Sequence, residues 1–134
     1  MIVRSRWVGK NIDLALLTRH IEDFFKRREF KTKINESMGN YKILFMPQHA
    51  NIYENAEVTI SGDPNDFVIE FSAGKKARSS VMLGFLTRII GGGSIFLKNV
   101  KTLETLEKLE KEFWIYVEDL VAQLVDSARA DMEL

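Results

Sequence analysis

The 134-residue chain has no cysteine, which excludes a disulfide framework and thiolate chemistry and leads us to expect a reducing, cytoplasmic setting. Histidine is scarce. His20 and His49 are the only two, and they form no spaced pair of the helical HExxH kind that brings two imidazoles to one ion, so no metal site and no cofactor is expected. His20, beside Leu16, Leu17 and Phe24, reads as a helix-edge residue, and His49, in MPQHAN, as a loop residue. Long apolar runs are missing too. MIVRSRWVGK holds Arg4 and Arg6 and no stretch of signal-peptide length, so no secretory or transit segment is expected. Residues 81–97 are the most apolar stretch, but Arg88 and the run Gly91 to Gly93 interrupt it, which excludes a membrane span and leaves a buried core element or a peripheral wedge. Net charge is zero, yet unevenly spread. Residues 1–50 carry ten Lys and Arg against five Asp and Glu, and residues 101–134 carry four against nine. Such a gradient suits a nucleic-acid face, or basic and acidic ends that neutralise one another within the fold or across a dimer.

What is present is an ordinary globular composition, with 46% hydrophobic and 28% charged residues, and one domain over 1–134 is expected. IVRSRWVG alternates and stops at Gly9, as a strand does. The period then changes. Leu14, Leu17, Ile21, Phe24 and Phe25 recur at helical spacing, with Asn11 or Asp13 to cap the start and Lys26, Arg27 and Arg28 to complement the dipole at the end. From 31 to 74 the period is two: KTKINESM and YKILFMP turn at Gly39-Asn40, and NAEVTIS and FVIEFS turn at GDPND. SSVMLGFLTRII reads as a helix ended by the glycines, and residues 101–129 as a long helix with Leu106, Phe113, Val117, Leu120 and Leu124 on one face. Its second half widens the stripe with Trp114, Val121 and Val125, which calls for a second layer or another subunit.

Strand, helix, four strands and then helices predicts an α+β fold, an antiparallel sheet of about five strands with helices on one face. That element order resembles the helix-grip and TATA-binding-type architectures, a resemblance of order alone that implies no activity.

No catalytic constellation is legible. Ser72 to Lys75 matches a bare SxxK spacing but spans a strand end and a turn, and SAGKKARSS lacks the upstream glycine and following hydroxyl of a phosphate-binding loop. A binding or assembly role is therefore expected in preference to catalysis, with self-association. Leu83, Phe85, Phe96, Trp114 and Val117 are the expected lining of an apolar ligand pocket between sheet and helices. The alternative is an anion or nucleic-acid edge made by Lys26, Arg27, Arg28, Lys31, Lys33, Lys75, Lys76 and Arg78. A third reading is a small enzyme whose groups, such as His49, Tyr53 and Glu70, meet only in the fold.

Overall fold

The structure, a computed structural model, describes residues 1–47, 56–73 and 101–132. Strand β1 (Ile2–Val8) is followed by helix α1 (Leu14–Arg27), strands β2 (Phe30–Ser37), β3 (Asn40–Pro47), β4 (Ala56–Asp63) and β5 (Asp66–Ala73), and helix α2 (Lys101–Met132). The five strands form one antiparallel sheet in the order β1-β5-β4-β3-β2, so the α+β architecture read from the sequence is the observed one. The segment expected as a middle helix and its terminating glycines lie outside the described residues.

Helix α1 starts at Asp13, whose carboxylate accepts the free amides of Ala15 at 2.9 Å and Leu16 at 3.2 Å. Leu14, Leu17, Ile21, Phe24 and Phe25 then fall on one buried face. Thr18 sits on that face as well, and its hydroxyl is satisfied by donating to the Leu14 carbonyl at 2.7 Å. At the other end Arg28 caps the helix, and Glu29, with φ of 66°, turns the chain into β2.

Period-two alternation places Trp7, Phe30, Ile43, Phe45, Val58, Ile60, Phe67, Ile69 and Phe71 on one face of the sheet, all buried. Leu109, Phe113, Val117, Leu120 and Val121 of α2 complete the same core at helical spacing. Phe25 is at its centre, stacked on Phe45 at 4.1 Å between ring centroids and touching Phe24, Phe30 and Phe113.

The two helices lie side by side on this face and run antiparallel. Tyr116 meets His20 and Phe24, whereas Glu112 meets Arg28, so numbers fall along α2 as they rise along α1.

By the same period of two, the opposite face presents Arg4, Arg6, Lys33, Asn35, Lys42, Leu44, Met46, Thr59, Val68 and Glu70. Leu44 and Met46 stand together on β3, half-buried and fully buried, whereas the half-buried Val68 lies two strands away and four residues along the ladder from Leu44, so the three do not form one apolar patch. Charges pair across strands: Arg4 lies 3.1 Å from Glu70, Lys42 lies 3.8 Å from Glu57, and Arg6 forks onto both oxygens of Asp66 at 2.7 Å. That fork holds the Asp66 carboxyl below its ordinary value, against a smaller opposing effect of burial. Because the folded state depresses this pKa, the fork stabilises fully above the unfolded value of about 4, and the contribution is lost as pH falls through the folded one. Asp66→Asn should therefore be less stable than the parent at neutral pH, with the gap closing in acid. Parallel pH dependence of the two denaturation midpoints would show that the fork contributes nothing.

One turn differs from the sequence expectation. The β2–β3 loop is Met38-Gly39, one residue earlier than Gly39-Asn40, with φ of 53° and 79°. Both loop residues need positive φ in this tight reversal, which matches the twist of the flanking strands. Asn40 is thereby left in β3, where its side-chain oxygen accepts the Gly62 amide at 3.3 Å.

Candidate functional site

Of the expected apolar-pocket residues, Leu83, Phe85 and Phe96 lie outside the described residues. Val117 is buried in the aromatic core, and Trp114 is half-buried at its edge, stacked on Trp7 at 6.4 Å. The Trp114 indole Nε1 is buried and has no acceptor among the described residues. Beside Trp7 a hollow of about 290 Å³ is lined by Val121, Ala122 and Val125, with Lys10, Glu118 and Asp126. Trp114 and Val121 thus extend the core toward β1, and Val125 continues the stripe half-buried.

The basic cluster is divided among four surroundings, with Lys75, Lys76 and Arg78 outside the described residues. Lys26 pairs with Glu22 at 3.4 Å, one turn back on α1. Arg28 is held by packing: its guanidinium lies 3.8 Å over the Phe24 ring, donates to the Phe24 carbonyl at 3.3 Å and lies 3.6 Å from Glu112. Lys31 and Lys33 stand on the outer face of β2, opposite Met46 and Leu44, away from the helices. Glu70, named for the enzymatic reading, pairs with Arg4 on that outer face, while His49 and Tyr53 lie outside the described residues.

Arg27 faces a different neighbourhood. It lines a recess of about 530 Å³ between α1 and α2, together with His20, Tyr116, Asp119, Leu120, Gln123, Leu124 and Ser127. The phenol of Tyr116 braces its floor by donating to the His20 carbonyl at 2.9 Å. Burial raises that phenol above its ordinary value, with Arg27 and Arg28 acting in the opposite sense, so it stays a donor at neutral pH. Leu120 and Leu124 give the recess an apolar wall. Arg27 and Asp119 form no ion pair with any described residue, and the His20 ring has no hydrogen-bond partner among them. The recess thus offers a cation, an imidazole, a carboxylate, an amide and a hydroxyl, along a groove about 16 Å long from Tyr116 to Ser127.

Tyr116, Asp119, Gln123 and Ser127 were not among the residues singled out from the sequence. A signal existed, since three and four are the intervals between them, a polar row one step from the apolar row of Val117, Leu120 and Leu124. Only the antiparallel neighbour α1 turns that row into the wall of a recess.

A further hollow, about 590 Å³, lies where Asp13, Tyr41, Gly62 and Asp63 meet at the end of the sheet. Its carboxylates are already used, Asp13 as the cap of α1 and Asp63 in accepting the Asn65 amide at 3.0 Å. No described helix is long and apolar enough to cross a membrane, and the described residues contain no cluster of three metal-ligating side chains.

Comparison of the chain with protein-family models, with curated proteins and with solved structures finds no match.

Proposed function

We propose that this domain is a small-molecule binding module whose ligand occupies the recess between α1 and α2. The observation that carries this reading is the set of uncommitted polar side chains from both helices around one space of ligand size, above a core that is itself closed. Arg27 and His20 suit an acidic group, a carboxylate or phosphate, because a guanidinium and an imidazole N–H favour an anion. Asp119, Gln123 and Ser127 suit hydroxyl or amino groups at the other end of the same ligand. Leu120 and Leu124 would pack on its carbon skeleton. A hydroxycarboxylate or a sugar phosphate has this distribution of groups. Binding is preferred to catalysis because, among the described residues, no hydroxyl is hydrogen-bonded to a histidine or lysine that could activate it.

Amide chemical shifts followed during titration with inorganic phosphate and with a series of hydroxycarboxylates test this. The expected perturbations cluster at residues 20–27 and 116–127, and Arg27→Ala weakens binding about ten- to hundredfold, the worth of one charge-assisted hydrogen bond. Perturbations centred on Lys31 and Lys33 would move the site to the outer sheet face and sink this reading.

A further inference from the structure

The edge strand β1 has a sequence that reads nearly the same in both directions. In IVRSRWV, Ile2 mirrors Val8, Val3 mirrors Trp7 and Arg4 mirrors Arg6 about Ser5. Its backbone has the matching orientation. Ala73 donates its amide to the Met1 carbonyl at 2.9 Å and Gly9 donates its own to the Asn65 carbonyl at 2.7 Å. By the period of an antiparallel ladder, Val3, Ser5 and Trp7 then spend their backbone groups on β5. Those of Ile2, Arg4, Arg6 and Val8 point away from β5, to an edge with which no described residue pairs.

The side chains at this edge are unusual for a strand that lacks a second partner among the described residues. Ile2 and Val8 are large, apolar and 61% and 62% exposed, one at each end of the strand on the outer face. Edge strands are ordinarily blunted by unpaired charge or proline. Here Arg4 and Arg6 are both neutralised from β5, by Glu70 and Asp66. The other edge strand, β2, reads FKTKINES and has no such symmetry.

We infer that two copies of this chain join β1 to β1 antiparallel about a two-fold axis through Ser5, making one continuous sheet across a homodimer. In that register Ile2 and Val8 of one copy lie opposite Val8 and Ile2 of the other, each pair exchanging both backbone hydrogen bonds. Val3 meets Trp7 on the helix side. The arginines oppose one another, an unfavourable placement that Glu70 and Asp66 of each copy offset. Shifting the centre to Arg4 or Arg6 instead sets an arginine against Ile2 or Val8. The hollow beside Trp7 lies along the same edge, and its apolar wall of Val121, Ala122 and Val125 is covered as α2 of the second copy approaches, with Lys10 near Glu118 or Asp126 across the axis. This inference rests on the sheet edge and is independent of the recess between the helices.

Light scattering on the full chain should give a mass near twice 15.4 kDa, little changed by salt, since backbone pairing and apolar contact carry the interface. Val8→Lys should halve that mass while leaving the circular dichroism of the parent. The chain has no cysteine, so Ser5→Cys supplies a lone thiol at the axis, where facing Cα atoms of a non-hydrogen-bonded pair stand at about 4.5 Å, within disulfide range. Mild oxidation should join Ser5→Cys into covalent dimers and leave Lys33→Cys, on the opposite edge, uncrosslinked. A monomeric parent chain overturns the inference. So does a dimer that survives Val8→Lys and crosslinks through Lys33→Cys as readily as through Ser5→Cys.

Discussion

Phe25→Ala is expected to cost about 3–5 kcal/mol of folding stability, the range for deleting a fully buried aromatic ring. The ring is wholly inaccessible and sits between the layers. It stacks on Phe45 of the sheet at an interplanar angle of 14°, meets Phe24 and Phe30 edge-on, and lies 5.8 Å from Phe113 of α2. Its loss therefore opens a void bounded by both helices and the sheet, and the neighbouring rings cannot all collapse into it without leaving their own contacts. A domain of this size is stable by only about 5–15 kcal/mol, so the variant should be marginal at best. Urea denaturation measures the loss directly. Ile115→Ala is the matched control, because Ile115 is 66% exposed on α2 and its truncation should stay within about 0.5 kcal/mol. A loss below about 1 kcal/mol at Phe25 would mean that the aromatic cluster repacks freely and does not hold the layers together.

The sheet was legible because alternation is a local signal: Phe67, Ile69 and Phe71 face the core whatever the strand is paired with. The same holds for α1, where five apolar residues at helical spacing and the Asp13 cap are all within one segment. Functional surfaces obey no such local rule. Lys26, Arg27, Arg28, Lys31 and Lys33 look like one patch in the sequence, yet a helix end followed by a strand sends their side chains in different directions. Arg28 is drawn onto Phe24 and Glu112, and Lys31 and Lys33 go through the sheet to its outer side. His20 read as a lone helix-edge histidine, and along its own helix that is what it is. Tyr116 and Asp119 reach its neighbourhood only because α2 runs antiparallel to α1, a pairing that no spacing within either helix encodes.

Turn positions occupy the ground between these cases, and Gly62 carries the second large prediction. GDPND is a turn by composition, but its proline fixes φ of the first loop residue near −65°, so the primed reversal that suits strand twist is unavailable. Neither Pro64 nor Asn65 adopts positive φ; the chain bends instead at Gly62, one step inside β4, with φ of 118°. A Cβ there would overlap the Asp66 carbonyl oxygen and approach the Phe67 Cα to 2.9 Å, and both obstacles are backbone of the paired strand. Gly62→Ala should therefore cost about 3 kcal/mol, combining a backbone region closed to side chains with a clash that flexible atoms cannot relieve. The damage should spread beyond the hairpin, since the Pro64 and Asn65 carbonyls accept the Ile12 and Gly9 amides and so anchor the link from β1 into α1. Gly39→Ala separates strain from clash: its φ of 79° is also positive, but a Cβ there meets nothing within 4 Å, and the expected cost is about 1 kcal/mol. Equal denaturation midpoints for the two variants would show that the close approach of β5 contributes nothing, and that positive φ alone sets the price at both turns.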